Sequence, residues 1–281
     1  MRRSVARVVV GQQTSDGAGV RLKRVIGTSA LDHLDPFLLL DEFKSDRPDD
    51  YLAGFPDHTH RGFETVTYMI AGSMRHQDHT GNQGELVAGS VQWMTAGRGI
   101  VHSEMPRQKD GLLWGFQLWV NLPAKDKMGP PRYQDIPPAR IPEVSPATGV
   151  KVRVIAGDSG GVRGPVEGIV TSPLYLDVAM APGTRFEHPV PAGHNAFAYV
   201  FAGEAEFEGT DGRRSVAAGT LAVLGDGDSV ALVTARTPAR FILLAARPLR
   251  EPIARYGPFV MNTREEILQA VEDYRAGRLL G

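Results

Sequence analysis

Residues 56–72 read PDHTHRGFETVTYMIAG. From Phe63 onward this is a run of β-branched and aromatic residues closed by a glycine, the composition of a strand running into a turn. Its first part sets His58 and His60 two residues apart, with Glu64 four further on. Strand side chains alternate faces, so three positions of equal parity point together if the strand is regular. Gly62 stands between the histidines and Glu64, where a bulge would break that parity.

The same texture recurs along the chain. LLWGFQLWVNL, VKVRVIAG, LYLDVAMAPG, FAYVFAGEAEFEG and RFILLAARPL are short β-rich runs, and 32 glycines and 20 prolines are scattered between such runs. This pattern predicts an all-β barrel or sandwich. An α/β fold needs long amphipathic helices between strands, and the middle of the chain has none. One helix is expected, in NTREEILQAVEDYRAGRLLG. Thr263 and Glu266 have capping-box spacing, Ile267, Leu268, Val271 and Tyr274 recur at helical intervals, and Gly277 fits a C-cap. Residues 123–148 are rich in proline and read as an extended connector.

The halves on either side of the connector resemble each other. Gly72 after TYMIA matches Gly203 after AYVFA, an offset of 131, while Gly89 and Gly97 match Gly219 and Gly227 at 130. Ordered self-similarity of this kind predicts a duplicated barrel: a first domain over 1–130, a second over 145–245, and a tail with its helix over 246–281 that packs on the first.

Composition narrows the function. The chain of 281 residues has no cysteine, which excludes disulfides, thiolate metal sites and cysteine nucleophiles. A formal net charge of -1 without a Lys/Arg cluster argues against nucleic-acid and membrane-surface binding. The opening MRRSVARVVVGQQ has a short apolar run and reads as a strand rather than a secretory segment, and no run reaches the ~18 apolar residues of a spanning helix. A cytoplasmic monomer is expected.

A second pair, His102 and Glu104 in GRGIVHSEMP, has the same spacing of two. If its strand lies beside that of His58 and His60, about 4.8 Å away, four nitrogen and oxygen ligands surround one point. Buried imidazoles and a carboxylate are costly unless paired, and one divalent cation pairs them all. Such a donor set suits Fe(II), with Cu, Ni, Mn, Co or Zn as alternatives. His76 and His79 fall in what reads as a surface hairpin loop, and His33 in a polar loop. The repeat supplies a control. His58, His60 and Glu64 map to Pro189, Pro191 and Asn195, and His102 and Glu104 map to Leu232 and Thr234, so the second barrel is expected to hold no metal. Phe55, Trp93, Met94 and Phe116 are candidates to line or support the cavity, with at most one of Trp93 and Met94 facing inward.

PDHTHRGFETVTYM, GSVQWMTAGRGIVHSEMP, LWGFQLWVNLP and GPFVMNTREEI together resemble the pirin family, a bicupin group. The resemblance implies two tandem cupin-type antiparallel β-barrels of jelly-roll form with a C-terminal helix. It implies metal ligation by His58, His60, His102 and Glu104. The general cupin pattern nominates Glu64 instead. It also implies a metal-dependent dioxygenase that cleaves flavonols such as quercetin with O₂, in which Glu104 takes the flavonol 3-hydroxyl proton. The alternative within the family is an iron-dependent regulator that binds protein partners.

Overall fold

The computed structural model of the chain describes residues 1–280. It is built almost wholly of antiparallel strands. The first twelve are Val5–Val10 (β1), Gln12–Asp16 (β2), Val20–Ile26 (β3), Phe37–Ser45 (β4), Phe55–His60 (β5), Phe63–Ala71 (β6), Ser73–Asp78 (β7), Gln83–Val87 (β8), Val91–Thr95 (β9), Ile100–Pro106 (β10), Leu113–Asn121 (β11) and Arg132–Ile136 (β12). The α-helix, α1, spans Arg264–Arg275.

Two compact units emerge, each assembled from separated stretches of chain. One holds Gln12–Thr28, Phe37–Pro138 and the tail from Leu249; the other holds Met1–Gly11, Ser29–Pro36 and Ala139–Pro248. In the first, a seven-stranded sheet runs β12-β9-β6-β11-β4-β3-β2, and a four-stranded sheet runs β5-β10-β7-β8. β6 is buried from Phe63 through Met69, as befits a strand paired on both edges with β9 and β11. β7 alternates instead, with Met74, His76 and Asp78 inward. Val20, Leu22, Phe43, Tyr51, Met69, Met74, Leu86 and Leu113 form an apolar cluster in this unit.

The connector is more ordered than its prolines imply. Arg132–Ile136 pairs with β9, and Glu143–Ala147 pairs with Val150–Ala156. Pro131 and Pro137 bracket β12 rather than interrupt it, and β12 is an edge strand, where a missing donor is tolerated.

The tail adds a short hairpin, Ala254–Tyr256 with Phe259–Met261, and α1. Thr263 caps the helix: its hydroxyl accepts from the Glu266 amide at 3.2 Å, and the Glu266 carboxylate accepts from the Thr263 amide at 2.9 Å. Ile267 and Ala270 are buried with Phe259, Met261 and Leu279. Leu268 and Tyr274, expected on the same face, are 59% and 54% exposed. At 100° per residue Leu268 lies well off the contact stripe of Ile267 and Ala270, whereas Tyr274 lies on it in the last turn, its ring centroid 6.2 Å from that of Phe259.

The other unit repeats the plan. Its main sheet passes from β1 through Thr220–Leu224, Asn195–Gly209, Ala239–Ala246, Leu174–Met180 and Val150–Ala156 to Glu143–Ala147. Two of the three matched glycine pairs share a backbone conformation: Gly72 and Gly203 have φ of 79° and 68°, Gly89 and Gly219 of 85° and 82°, whereas Gly97 and Gly227 differ at 53° and 151°. These values favour glycine over residues with a Cβ. Leu232, matched to His102 by the sequence offset, stands opposite Phe207 as Glu104 stands opposite His76, so register makes it the counterpart of Glu104 and Val230 that of His102; both sit in an apolar cluster with Phe186, Val200 and Phe241. Thr234, matched to Glu104 by the sequence offset, lies beyond that register and donates its hydroxyl to the Ala181 carbonyl at 2.6 Å.

Candidate metal centre

β5 and β10 pair so that His102 stands directly opposite His58, with Ile100 opposite His60. Equal parity on β5 brings His60 to the same side. The result is a cluster of three imidazoles, each offering one nitrogen within 4.8 Å of the others. Ring centroids lie 4.3 Å (His58–His102), 4.7 Å (His58–His60) and 5.1 Å (His60–His102) apart.

The hydrogen bonds assign the tautomer of one ring. His58 Nδ1 lies 2.8 Å from the Pro56 carbonyl. A carbonyl only accepts, so Nδ1 carries a proton, which leaves Nε2 as the nitrogen this ring can offer to a metal. His60 and His102 are 4% and 1% exposed. Neither nitrogen of His102 nor Nδ1 of His60 has a hydrogen-bond partner among the described residues. Burial, reinforced by the neighbouring imidazoles, holds both rings well below the usual histidine range. They are therefore neutral and have lone pairs to share, which is the state a metal ion requires. Buried polar atoms left unpaired are rare in proteins because each costs about 1–3 kcal/mol. The three rings thus fit a cation in both geometry and chemistry.

The two candidate carboxylates have different surroundings. Between His102 and Glu104 the partner residue on β5 jumps from His58 to Phe55, so an extra residue of β5 is accommodated there. Glu104 is buried, and its Oε1 accepts from Thr67 Oγ1 at 2.9 Å. With His58 and His60 it lines a cavity of about 610 Å³. Glu64 lies across the Gly62 break, where φ is +91°. Its Oε1 accepts from Thr95 at 2.7 Å, and burial raises its carboxyl above the usual range. Neither carboxylate belongs to the imidazole cluster; Glu104 shares the cavity lining with His58 and His60, and Glu64 does not.

Several residues around the site escaped the sequence reading. His76, expected on a surface loop, is 2% exposed on β7, while His79 is exposed. The strand extends further than its polar composition implied, and its alternation turns His76 and Asp78 inward. His76 pairs in register with Glu104, stacks on Tyr133 and places Nε2 3.2 Å from Asp135 Oδ2. Cross-strand register also aligns a polar row through the larger sheet: Arg24, Asp41, Gln117, Thr67, Gln92 and Asp135. Arg24 grips Asp41 with two bonds of 2.9 and 2.7 Å, and these hydrogen bonds raise its already high pKa. No local motif marks such a row, because its members are adjacent only across strands.

Apolar residues complete the cavity: Leu22, Leu39, Phe43, Phe55, Met74 and Trp119. Of the four candidates named from sequence, Phe55 alone is among the lining residues. Trp93 and Met94 are both buried despite opposite parity. The reason is that the sheet is covered on both faces at β9, where Met94 packs with Ala96, Ile100 and Tyr133.

The segment after His60 is tightly held. Arg61, 3% exposed, sends Nη1 to Asp273 Oδ2 at 2.8 Å and Nη2 to the Leu279 carbonyl at 3.2 Å, and Nε bonds the Arg98 carbonyl. Its backbone pairs with the tail, accepting from the Val260 amide at 3.0 Å. Lys127, also buried, donates to the Gly62 carbonyl at 2.7 Å, Asn121 Oδ1 at 2.6 Å and the Val260 carbonyl at 3.0 Å. Three donors meet three acceptors, so the ammonium is satisfied; burial still lowers its pKa to about 8.

Comparison with known proteins agrees with this architecture. The family model described as Pirin matches residues 19–120, and that described as Pirin C-terminal cupin domain matches 175–280. A Pseudomonas aeruginosa protein named as a candidate quercetin 2,3-dioxygenase is 52% identical over 281 residues, covering 99% of this chain and 98% of the relative. Human pirin is 46% identical, with 97% and 92% covered. A crystal structure of quercetin 2,3-dioxygenase from Acinetobacter baumannii superposes with a TM-score of 0.91 at 33% identity, covering 99% of each chain. The chain belongs to the pirin family, and its two β units are cupin domains.

Proposed function

We propose that this member of the pirin family is a metal-dependent dioxygenase that cleaves flavonols such as quercetin with O₂, releasing carbon monoxide. The observation that carries the reading is the convergence of three imidazoles, two of which, His58 and His60, line a cavity of about 610 Å³ together with Glu104. That volume falls within the ~300–1,000 Å³ of small-molecule sites. The relatives named for quercetin dioxygenase activity support the substrate class.

His58, His60, His102 and Glu104 would hold one divalent metal ion, with Fe(II) the reading offered here. When bound, the ion supplies a Lewis-acid site at which a flavonol oxygen and O₂ are brought together. The chain's own groups do the rest. The Pro56 carbonyl fixes the ring of His58 through Nδ1. Leu39, Phe43, Phe55 and Trp119 offer apolar walls to a flat aromatic ligand and displace water from it. Glu104 accepts the 3-hydroxyl proton at Oε2 while Thr67 holds Oε1.

The test is oxygen uptake by the iron-loaded protein on quercetin, with carbon monoxide measured as product. Uptake is expected, and His102→Ala should abolish it together with metal binding. A metal-replete protein that binds Fe(II) but leaves quercetin intact refutes the dioxygenase reading. Differential capture of protein partners by the Fe(II) and Fe(III) forms would then establish a regulator.

A further inference from the structure

Thr67 Oγ1 lies 2.9 Å from Glu104 Oε1 and 2.6 Å from Gln117 Oε1. A threonine hydroxyl has one proton to donate and two lone pairs with which to accept. A carboxylate that ligates a cation is ionised and can only accept, so the Thr67 proton belongs to Glu104. Gln117 must then act as donor toward Thr67. Turning its amide by half a rotation exchanges oxygen for Nε2–H with almost no movement of heavy atoms. The outcome is a directed chain: Gln117 Nε2–H to Thr67 Oγ1, and Thr67 Oγ1–H to Glu104 Oε1.

The placement is built into the fold. Thr67 and Gln117 are direct cross-strand partners on β6 and β11, whereas Glu104 reaches them from the opposite sheet. Thr67 and Glu104 are 2% and 4% exposed, so no bulk water competes for these bonds. Gln117 also lines the cavity, next in register to Asp41. A bond from a hydroxyl to a buried carboxylate is charge-assisted and stronger than a neutral one.

We propose that Thr67 and Gln117 are positioning residues for Glu104. They commit Oε1 to the protein, leave Oε2 as the oxygen that acts, and connect a ligand touching Gln117 to the carboxylate. That Glu104 serves metal binding and proton transfer rests on the function proposed above; the hydrogen-bond chain rests on the distances.

The experiment compares wild type, Thr67→Val, Thr67→Ser and Gln117→Leu in Co(II) affinity, Co(II) visible absorption and flavonol turnover, with thermal unfolding as the check on folding. Thr67→Val keeps the shape and removes the hydroxyl; Thr67→Ser restores it. Thr67→Val should bind Co(II) about 10–100-fold more weakly, the range for losing a group that orients a ligand. Its absorption bands should shift, and kcat should fall more than KM changes. Thr67→Ser should match wild type, and Gln117→Leu should shift the bands in the same direction as Thr67→Val. Thr67→Val indistinguishable from wild type in affinity and spectrum overturns the proposal, as does Thr67→Ser as defective as Thr67→Val. If Thr67→Val fails to fold, Gln117→Leu decides by the same readouts. Wild type that binds Co(II) but, when loaded with Fe(II), turns over no flavonol refutes the dioxygenase reading alone, and the Co(II) comparison still decides the role of Thr67. Wild type that binds no Co(II) overturns both.

Discussion

Gly62 and Gly81 have nearly the same backbone, at φ of +91° and +90°, but different surroundings. A Cβ added at Gly81 meets nothing within 4 Å, while one at Gly62 falls 2.0 Å from the Val260 carbonyl oxygen. Alanine at either site incurs the left-handed backbone penalty, about 1–2 kcal/mol. At Gly62 the tail strand must also withdraw by about 1 Å or more to restore an ordinary contact. That movement pulls on two buried hydrogen bonds of 3.0 Å, from the Val260 amide to the Arg61 carbonyl and from Lys127 to the Val260 carbonyl. Losing both costs roughly 2–6 kcal/mol, at about 1–3 kcal/mol for each bond whose buried partner is left unpaired. Gly62→Ala should therefore be destabilised beyond Gly81→Ala by that amount, on the order of 10 °C in Tm at ~2–4 °C per kcal/mol. Circular dichroism melts of both variants measure the difference. Metal titration should show weaker binding in Gly62→Ala only, because the glycine is two residues from His60. Equal melting temperatures would refute the claim that the tail clamps this segment.

Alanine at His58, His60 or His102 should leave the purified protein with little bound metal after dialysis, while Glu64→Ala should retain it, as elemental analysis would show; loss at Glu64 alone reverses the ligand assignment. Added Ni(II) at a hundredfold excess over its Kd should stabilise wild type by about 2.7 kcal/mol, and His102→Ala should show no such gain in a denaturation series. Lys127 has a folded pKa of about 8 against an ordinary 10.5. Between those values the unfolded chain binds a proton that the folded chain has lost. Stability of wild type relative to Lys127→Met should thus be flat below pH 7 and rise from pH 8 to 10.5, by at most about 1.4 kcal/mol per pH unit; urea titrations across this range would expose a falling or flat difference. Arg61→Met leaves Asp273 and the Leu279 carbonyl without their guanidinium and should cost about 3–5 kcal/mol in the same assay.

The sequence by itself determined the β character, the repeat, the capped helix and the three imidazoles. Each is encoded by residues close together in the chain: alternation within a strand, glycines at fixed turns, Thr263 three residues before Glu266, two histidines separated by one residue. Only the tertiary structure decided which groups surround those imidazoles. Val5–Val10 is an apolar run that either barrel could use, and its pairing with Thr220–Leu224 depends on an edge more than 200 residues away. Thr67, Gln117, Gln92 and Asp135 are unremarkable in their own strands and meet because register aligns them. His76 reads as a loop residue until β7 pairs with β10 and turns it inward. Local patterns fix the direction in which a side chain points from its own strand; what it then meets is set by strand order and register, which are properties of distant residues acting together.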